Sequence, residues 1–131
     1  MDAGLQQRIR DFYTAYARGD MDAALEGFHA DATLTNPEYA IDGGVRRGRE
    51  QLRAALQGLH EGFEFQGIEV DELHEGPDGV LVLFRLVLRG RGSGAPIEER
   101  FAHVLRLRDG RVADLAWFRT AAEGRRAAGL T

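Results

Sequence analysis

The chain contains no cysteine, no lysine and only one serine, and these absences narrow the chemistry available to it. Without cysteine there is neither a thiol nucleophile nor a thiolate ligand for a metal ion. All 17 positions occupied by lysine or arginine are arginine, so no side-chain amine can form a Schiff base. Ser93 lies in an Arg-Gly-Ser-Gly run typical of a hairpin tip, which argues against a serine hydrolase. Any catalysis would therefore use acid–base or electrostatic chemistry.

Long apolar runs and a basic character are also missing. No run has the length of a membrane span, and the N-terminus lacks the features of a secretory signal, so we expect a cytoplasmic protein without membrane partners. The net charge of −4 argues against nucleic acid as a partner, because phosphate binding requires a basic face. The 4 histidines are scattered without metal-binding spacing, so we predict neither a metal nor a cofactor. With 131 residues and 44% hydrophobic content, the chain is expected to form one domain.

Helical periodicity marks the beginning of the chain. A first helix is predicted over residues 5–17, because its apolar positions share one face. Gly19 is expected to end this helix, and Asp20 is expected to cap a second helix that runs to Phe28.

A short strand is predicted to separate the second helix from a third. Pro37 disfavours helix at Asn36, so residues 33–35 are predicted to be extended. Gly43-Gly44 is expected to begin a loop, and Gly48-Arg49-Glu50 opens a helix whose apolar stripe predicts packing on the core.

From Phe63 onward the apolar residues alternate with a period of two, which predicts strands. A change of parity at Gln66-Gly67 predicts a bulge. Three further strands, two turns and a capped C-terminal helix are predicted: strands 80–89, 97–107 and 112–119, turns 76–79 and 109–110, and a helix from Thr120 through Ala128.

These elements predict an α+β fold. Long strands joined by tight turns favour a strongly bent, mainly antiparallel sheet, with three N-terminal helices packed on one face. A bent sheet and helices that meet it at one edge leave a cone-shaped space between them. This space is the natural site for a ligand.

His103 is the strongest candidate for a functional residue. Phe101, His103 and Leu105 share one parity of their strand, whereas Arg100 and Arg106 share the other. The histidine is therefore expected to point into the cone. It would act there as an acid or base, or it would be a core histidine bonded to a neighbouring hydroxyl or carbonyl.

Polar candidates lie at the predicted mouth of the pocket. Asn36 is a candidate donor to a ligand carbonyl, or its side chain bonds the backbone in a local turn. Glu38 is either a solvated loop charge or, with Tyr39, part of a lid. Glu99 shares the parity of His103 and is either its carboxylate partner or a rim residue, and Arg119 is either paired inward or solvated at a strand end.

The remaining candidates would form the pocket lining. Tyr13 and Tyr16 lie on the inward face of the first helix, where a buried hydroxyl requires a partner; tyrosines at this spacing are otherwise core residues. Aromatic side chains on the strands would supply walls for a flat apolar ligand; these are Phe63, Phe84, Phe101 and Trp117.

Five segments resemble the SnoaL-like (polyketide-cyclase-like) group of the nuclear transport factor 2-like superfamily. The segments are FYTAYARGDMD (12–22), HADA (29–32), GRE (48–50), RFAHV (100–104) and LRDGRV (107–112). Their order covers nearly the whole chain and implies a single SnoaL-like domain over residues 1–131. The resemblance also implies a homodimer and a hydrophobic pocket.

The resemblance extends only partly to the ketosteroid isomerases of the same superfamily. Those enzymes use a carboxylate base just before a proline, a tyrosine of the first helix and an acid near the penultimate strand. The corresponding positions here are Asn36, Phe12 and His103. Because an amide is no base and Phe12 cannot donate, steroid isomerisation is not implied.

Two functions follow from these residues. The first is a small-molecule pocket protein acting on or binding an apolar carbonyl-bearing or polycyclic compound, with His103 as proton donor or acceptor and Asn36 or a tyrosine as orienting donor. The second is a non-catalytic ligand-binding or dimeric assembly domain of the same fold. The number of polar groups that converge in the pocket separates the two.

Overall fold

The computed structural model describes residues 1–36, 44–92 and 94–130. It contains four helices and six strands in these ranges: α1 Ala3–Arg18, α2 Met21–Leu25, β1 Phe28–Asn36, β2 Gly44–Arg47, α3 Arg49–Gly62, β3 Phe63–Gly76, β4 Gly79–Gly90, β5 Pro96–Arg108, β6 Arg111–Phe118 and α4 Ala121–Ala128. No helix in these ranges is long and apolar enough to cross a membrane.

The strands form one curved sheet in the order β2-β1-β6-β5-β4-β3. All neighbouring pairs are antiparallel except β1 and β6, which are parallel. The predicted α+β class and the bent, mainly antiparallel sheet are therefore confirmed.

The caps of the first two helices follow the local sequence. Gly19 ends α1 in the left-handed region with φ of 79°, a conformation that glycine adopts without steric strain. The carboxylate of Asp20 accepts a hydrogen bond from the amide of Ala23 and caps α2, as predicted. The prediction that α2 reaches Phe28 is wrong, because Phe28 already pairs with Val112 and begins β1.

The next two strands also differ from the prediction: the first is longer than predicted, and the second was not predicted. β1 spans Phe28–Asn36 rather than residues 33–35, because it is flanked by both β2 and β6. Gly44 does not lie in a loop but begins β2, which pairs with the end of β1. This edge strand carries the exposed Val45 and two arginines, so it has no buried face from which it could be predicted.

β3 bends where the sequence changes parity. Its register with β4 shifts between Phe65 and Gly67, which confirms the predicted bulge. A second shift occurs between Val70 and Glu72. Each added residue bends the edge strand further and contributes to the curvature of the sheet.

The concave and convex faces of the sheet are covered by different helices. The main core lies on the concave face and includes Tyr13, Phe28, Phe84 and Leu115 together with side chains of α1, α2 and α3. Each fully buried side chain of this size contributes about 1.5–3 kcal/mol to stability. The concave face therefore holds most of the buried apolar side chains that stabilise the fold.

On the convex face, α4 packs in close contact with β4 and β5. Thr120 caps α4 by accepting from the amide of Glu123, which confirms the predicted cap. A side chain at Gly124 would lie 2.8 Å from both Leu81 and Ala102, so only glycine permits this approach. A small second cluster of buried residues forms there.

Candidate functional site

His103 lies in the middle of β5 and points into the concave side of the sheet, as its parity predicts. Its side chain is only 2% exposed. It stands opposite Val82 of β4 and Trp117 of β6 in the register of the sheet. The central strand position therefore fixes the imidazole between two rigid neighbours.

Tyr13 joins helix α1 to this histidine. Its hydroxyl lies 2.8 Å from Nδ1 of His103, and both side chains are buried. The two rings are nearly stacked, with centroids 5.7 Å apart. One predicted alternative was a core histidine bonded to a neighbouring hydroxyl. The structure shows such a bond at Nδ1 of His103.

The other neighbours of His103 are aromatic. The ring centroids of Phe84 and Trp117 lie 4.3 and 4.6 Å from that of His103. Phe101 packs edge-to-face on Trp117 at 4.9 Å and also contacts Phe84 at 6.2 Å. The predicted lining residues Tyr13, Phe84, Phe101 and Trp117 therefore come together around His103; we call these five side chains the aromatic cluster.

Burial controls the protonation of this cluster. Burial removes the ring from water and so lowers the pKa of His103 from its ordinary 6.5 to about 3. Burial, and to a smaller extent Tyr16, raises the pKa of the Tyr13 hydroxyl well above its ordinary value. At neutral pH the imidazole is therefore uncharged and the phenol keeps its proton.

The second ring nitrogen of His103 is left without a partner. Nε2 is buried and has no hydrogen-bond partner among the described residues. Trp117 stands at 77° to the imidazole, an edge-to-face arrangement that supplies at most a weak contact to a π face. A buried polar atom in this state costs about 1–3 kcal/mol, which a hydrogen bond with a water molecule or a ligand would offset.

Towards the ends of the strands the cluster becomes accessible. Phe101 and Trp117 are partly buried, and so is Asn36 at the end of β1. Glu99 and Arg119 are exposed. Both charged residues therefore lie at the solvent-exposed edge of the cluster. Glu99 is not the carboxylate partner of His103.

Tyr16 has a different role from Tyr13. Its hydroxyl donates to the backbone carbonyl of Leu56 at 3.4 Å, and its own carbonyl lies 2.6 Å from Nε2 of His60. Burial raises the pKa of its phenol. These contacts tie α1 to α3, so the structure does not bring the Tyr16 hydroxyl to His103.

Three sequence candidates lie outside the described residues. They are Glu38 and Tyr39 and the side chain of Phe63. In the described ranges, no three histidine, aspartate or glutamate side chains form a group that could hold a metal ion.

A separate cleft lies beside the N-terminal half of α1. It has a volume of about 550 Å³ and an apolar floor that includes Leu5, Ile9 and Leu107. Its rim mixes both charges, with Arg8 and Arg111 beside carboxylates. His103 does not line it, and no side chain among its described lining residues is both buried and polar, so we take the aromatic cluster as the candidate site.

The pairing of Tyr13 with His103 is what the sequence did not predict. The resemblance to the ketosteroid isomerases placed Phe12 at the position of their first-helix tyrosine, but Phe12 packs in the core against Phe28 at 5.2 Å. The hydroxyl beside His103 belongs to the next residue. No sequence signal links two residues 90 positions apart; only the helical face shared by Ile9, Tyr13 and Tyr16 indicated that Tyr13 is buried.

Solved structures with the same fold extend over nearly the whole chain. An NTF2-like protein of unknown function from Burkholderia pseudomallei is 23% identical, with a TM-score of 0.76 and coverage of 97% of this chain and 98% of that one. A Catenulispora acidiphila protein of ketosteroid isomerase-like fold, solved in complex with trimethylamine, is 19% identical, with a TM-score of 0.74 and coverage of 95% and 94%.

A proposed SnoaL-like polyketide cyclase from Mesorhizobium loti is 18% identical, with a TM-score of 0.67 and coverage of 86% of this chain and 97% of that one. No curated protein matches the chain. The family model of the SnoaL-like domain matches residues 9–115. Since this match covers most of the chain and agrees with the fold, the protein belongs to the SnoaL-like domain family.

Proposed function

We propose that this protein binds a small, flat, apolar compound at the accessible end of the concave face. Phe101 and Trp117 would form the wall of the site, and His103 would make the single buried polar contact with the ligand. The observation that carries the proposal is the buried Nε2 of His103, which has no hydrogen-bond partner among the described residues.

The energetics favour a ligand that meets this nitrogen. A ligand with one polar atom would satisfy Nε2 and recover part of the roughly 1–3 kcal/mol that an unpaired buried group costs. Its apolar body would cover the partly exposed faces of Phe101 and Trp117, and buried apolar area contributes about 25 cal/mol per Å².

Binding and polarisation are better supported than proton transfer. General acid–base catalysis works best when the pKa of the group lies near the working pH. The pKa of His103 is lowered to about 3, so its neutral ring is a weak base and carries no easily released proton. Glu99 is exposed and Asn36 is an amide, so neither supplies the missing base at the cluster.

The alternative function is catalysis on a carbonyl compound bound at the same site. In it, His103 would polarise a ligand carbonyl and Asn36 would orient it, while the base would come from the ligand itself or from outside the described residues. The proposed cyclase from Mesorhizobium loti makes this chemistry relevant to the family. Turnover of a bound carbonyl compound would distinguish it from binding alone.

The site can be tested with indanone, a flat bicyclic ketone, as the probe. Trp117 is the only tryptophan in the chain, so its indole N–H resonance reports directly on the wall of the site. We expect indanone to shift this resonance and to raise thermal stability. His103→Leu should fold and bind indanone roughly three- to tenfold more weakly, the range for one neutral hydrogen bond, and Asn36→Ala should also weaken the response.

The control variant is His74→Leu, which makes the same substitution at a partly exposed position of β3, where the histidine pairs with Glu72. It should retain the full response to indanone. An unchanged response in both His103→Leu and Asn36→Ala would mean that the site lies elsewhere. Native mass spectrometry of the freshly purified protein would identify a co-purifying natural ligand.

We also propose a cytoplasmic homodimer that forms through the convex face of the sheet. α4 covers only part of this face, and beside it Arg85 pairs with Asp71 and Glu98. Light scattering at micromolar concentration should give twice the 14.5 kDa of one chain. A mass of 14.5 kDa would contradict the dimer without affecting the ligand site.

A further inference from the structure

Tyr13 and His103 share one hydrogen bond, and its direction decides what the free nitrogen of the histidine can do. The oxygen and Nδ1 are 2.8 Å apart, and either atom is chemically able to donate. If the phenol donates, Nδ1 is the acceptor and Nε2 carries the ring proton. If the imidazole donates, Nε2 presents a lone pair instead.

The relative strengths of donor and acceptor favour the first arrangement. A phenol O–H is a stronger acid than a neutral imidazole N–H, and an imidazole lone pair is a stronger base than a phenol oxygen. The bond is therefore strongest when Tyr13 donates to Nδ1. Burial keeps the proton on the phenol, since it raises the pKa of Tyr13.

We infer that Tyr13 is a positioning residue: its hydroxyl holds His103 in the tautomer that carries the proton on Nε2, so the site selects uncharged ligands that bear a hydrogen-bond acceptor. The inference rests on the proposed function, because it names the class of ligand for the same site. Carbonyl compounds, lactones and quinones belong to this class. Aliphatic amines, which are protonated and charged at neutral pH, and compounds that can only donate do not.

The surroundings of Nε2 strengthen this selection. Phe84 and Trp117 enclose the imidazole with ring centroids 4.3 and 4.6 Å away, so a ligand atom that meets Nε2 has lost its water. A donor placed there would face another donor in a site of low polarity, which is strongly unfavourable. An ammonium ligand would gain from the aromatic faces but would meet the same N–H group.

The first experiment determines the tautomer without any ligand. Nitrogen NMR of the protein labelled in its histidine rings separates protonated from unprotonated ring nitrogens. We expect His103 to show a protonated Nε2 and an unprotonated Nδ1 that is coupled to the Tyr13 hydroxyl. A protonated Nδ1 would overturn the inference, whatever the protein binds.

The second experiment compares three probes of equal size by calorimetry. Indanone carries only an acceptor, indole carries only a donor, and indane carries neither. We expect indanone to bind roughly three- to tenfold more tightly than indane, which is the range for one neutral hydrogen bond. Indole should bind no better than indane, and trimethylamine should not bind.

The variant Tyr13→Phe removes the hydroxyl and keeps the ring. It should release Nδ1, allow both tautomers in the NMR spectrum and narrow the preference for indanone over indole. Tyr16→Phe is the matched control, because the Tyr16 hydroxyl bonds the carbonyl of Leu56 and not the histidine. It should leave both the tautomer and the preference unchanged.

Different results would contradict the ligand site and the role of Tyr13 in selecting the ligand. Tighter binding of indole or trimethylamine than of indanone would overturn the acceptor class while keeping the ligand site. No binding of any probe, with a protonated Nε2, would overturn the proposed function and with it the role of Tyr13 in selection. If Tyr13→Phe does not fold, the measurements on the parent protein decide the question alone.

Discussion

The buried histidine should leave a distinct mark on the pH dependence of stability. Burial lowers the pKa of His103 from 6.5 to about 3, so the unfolded chain binds a proton in this window and the folded chain does not. Stability is therefore highest above pH 6.5 and is lost as the pH falls towards 3. Each unit of pKa shift corresponds to about 1.4 kcal/mol, so the whole window amounts to roughly 5 kcal/mol.

The loss is already measurable in mild acid. At about pH 5 the contribution of His103 falls by about 2 kcal/mol relative to about pH 7.5, and at about pH 6 by about 0.8 kcal/mol. The value near pH 5 is the same for any folded-state pKa below about 4, because the folded ring is then neutral throughout. Urea denaturation at these three pH values provides the free energies of unfolding.

The variant His103→Leu isolates this effect from the other titrating groups. It keeps a similar volume and removes the ring, so the carboxylates and the other histidines change stability equally in both proteins. Near neutral pH the two stabilities should differ by at most about 2 kcal/mol, according to how far the Tyr13 hydroxyl is left unpaired. On acidification the parent should lose about 2 kcal/mol more than the variant. A constant difference between the two proteins from neutral pH to pH 5 would refute a neutral, desolvated His103.

Two further predictions concern the packing of the fold. Gly124→Ala should destabilise the protein by about 1–3 kcal/mol, because its new methyl group would lie 2.8 Å from the strands beneath α4. Gly58→Ala, in open space on α3, should be neutral or stabilise by up to about 1 kcal/mol, and urea denaturation of both compares them. Asp114→Ala should cost about 1–2 kcal/mol, because Asp114 Oδ1 accepts from two threonine hydroxyls of β1 at 2.5 and 2.9 Å. Asp114→Asn retains one acceptor oxygen, so a loss as large as that of the alanine variant would contradict this explanation.

The sequence predicted those structural features that depend on residues close together in the chain. Asp109-Gly110 forms the predicted tight turn between β5 and β6, with both residues at positive φ. The bulge after Phe65 followed from a change of parity in the sequence. The inward direction of His103 followed from the alternation of its own strand.

The features that the sequence did not predict depend on contacts with other strands and helices, several of them far away in the sequence. β2 has four residues and no buried face, so only its pairing with β1 makes it a strand. β1 begins at Phe28 because β6 lies beside it. The bond from Tyr13 to His103 joins a helix to a strand across 90 positions, a separation at which a single sequence carries no pairing information.

The parallel pairing of β1 with β6 determines the order in which the strands can pair during folding. Thr33 and Asp114 are 81 positions apart, so their contact closes a long loop, and such contacts form slowly. β6 reaches its place through the hairpin with β5, which is a local event. β1 and β2 can join the sheet only afterwards. During synthesis the first strand therefore remains unpaired on its β6 side until the last strand has left the ribosome. The proposed site, which would use Asn36 of β1 and Trp117 of β6, can be completed only after these two strands have paired.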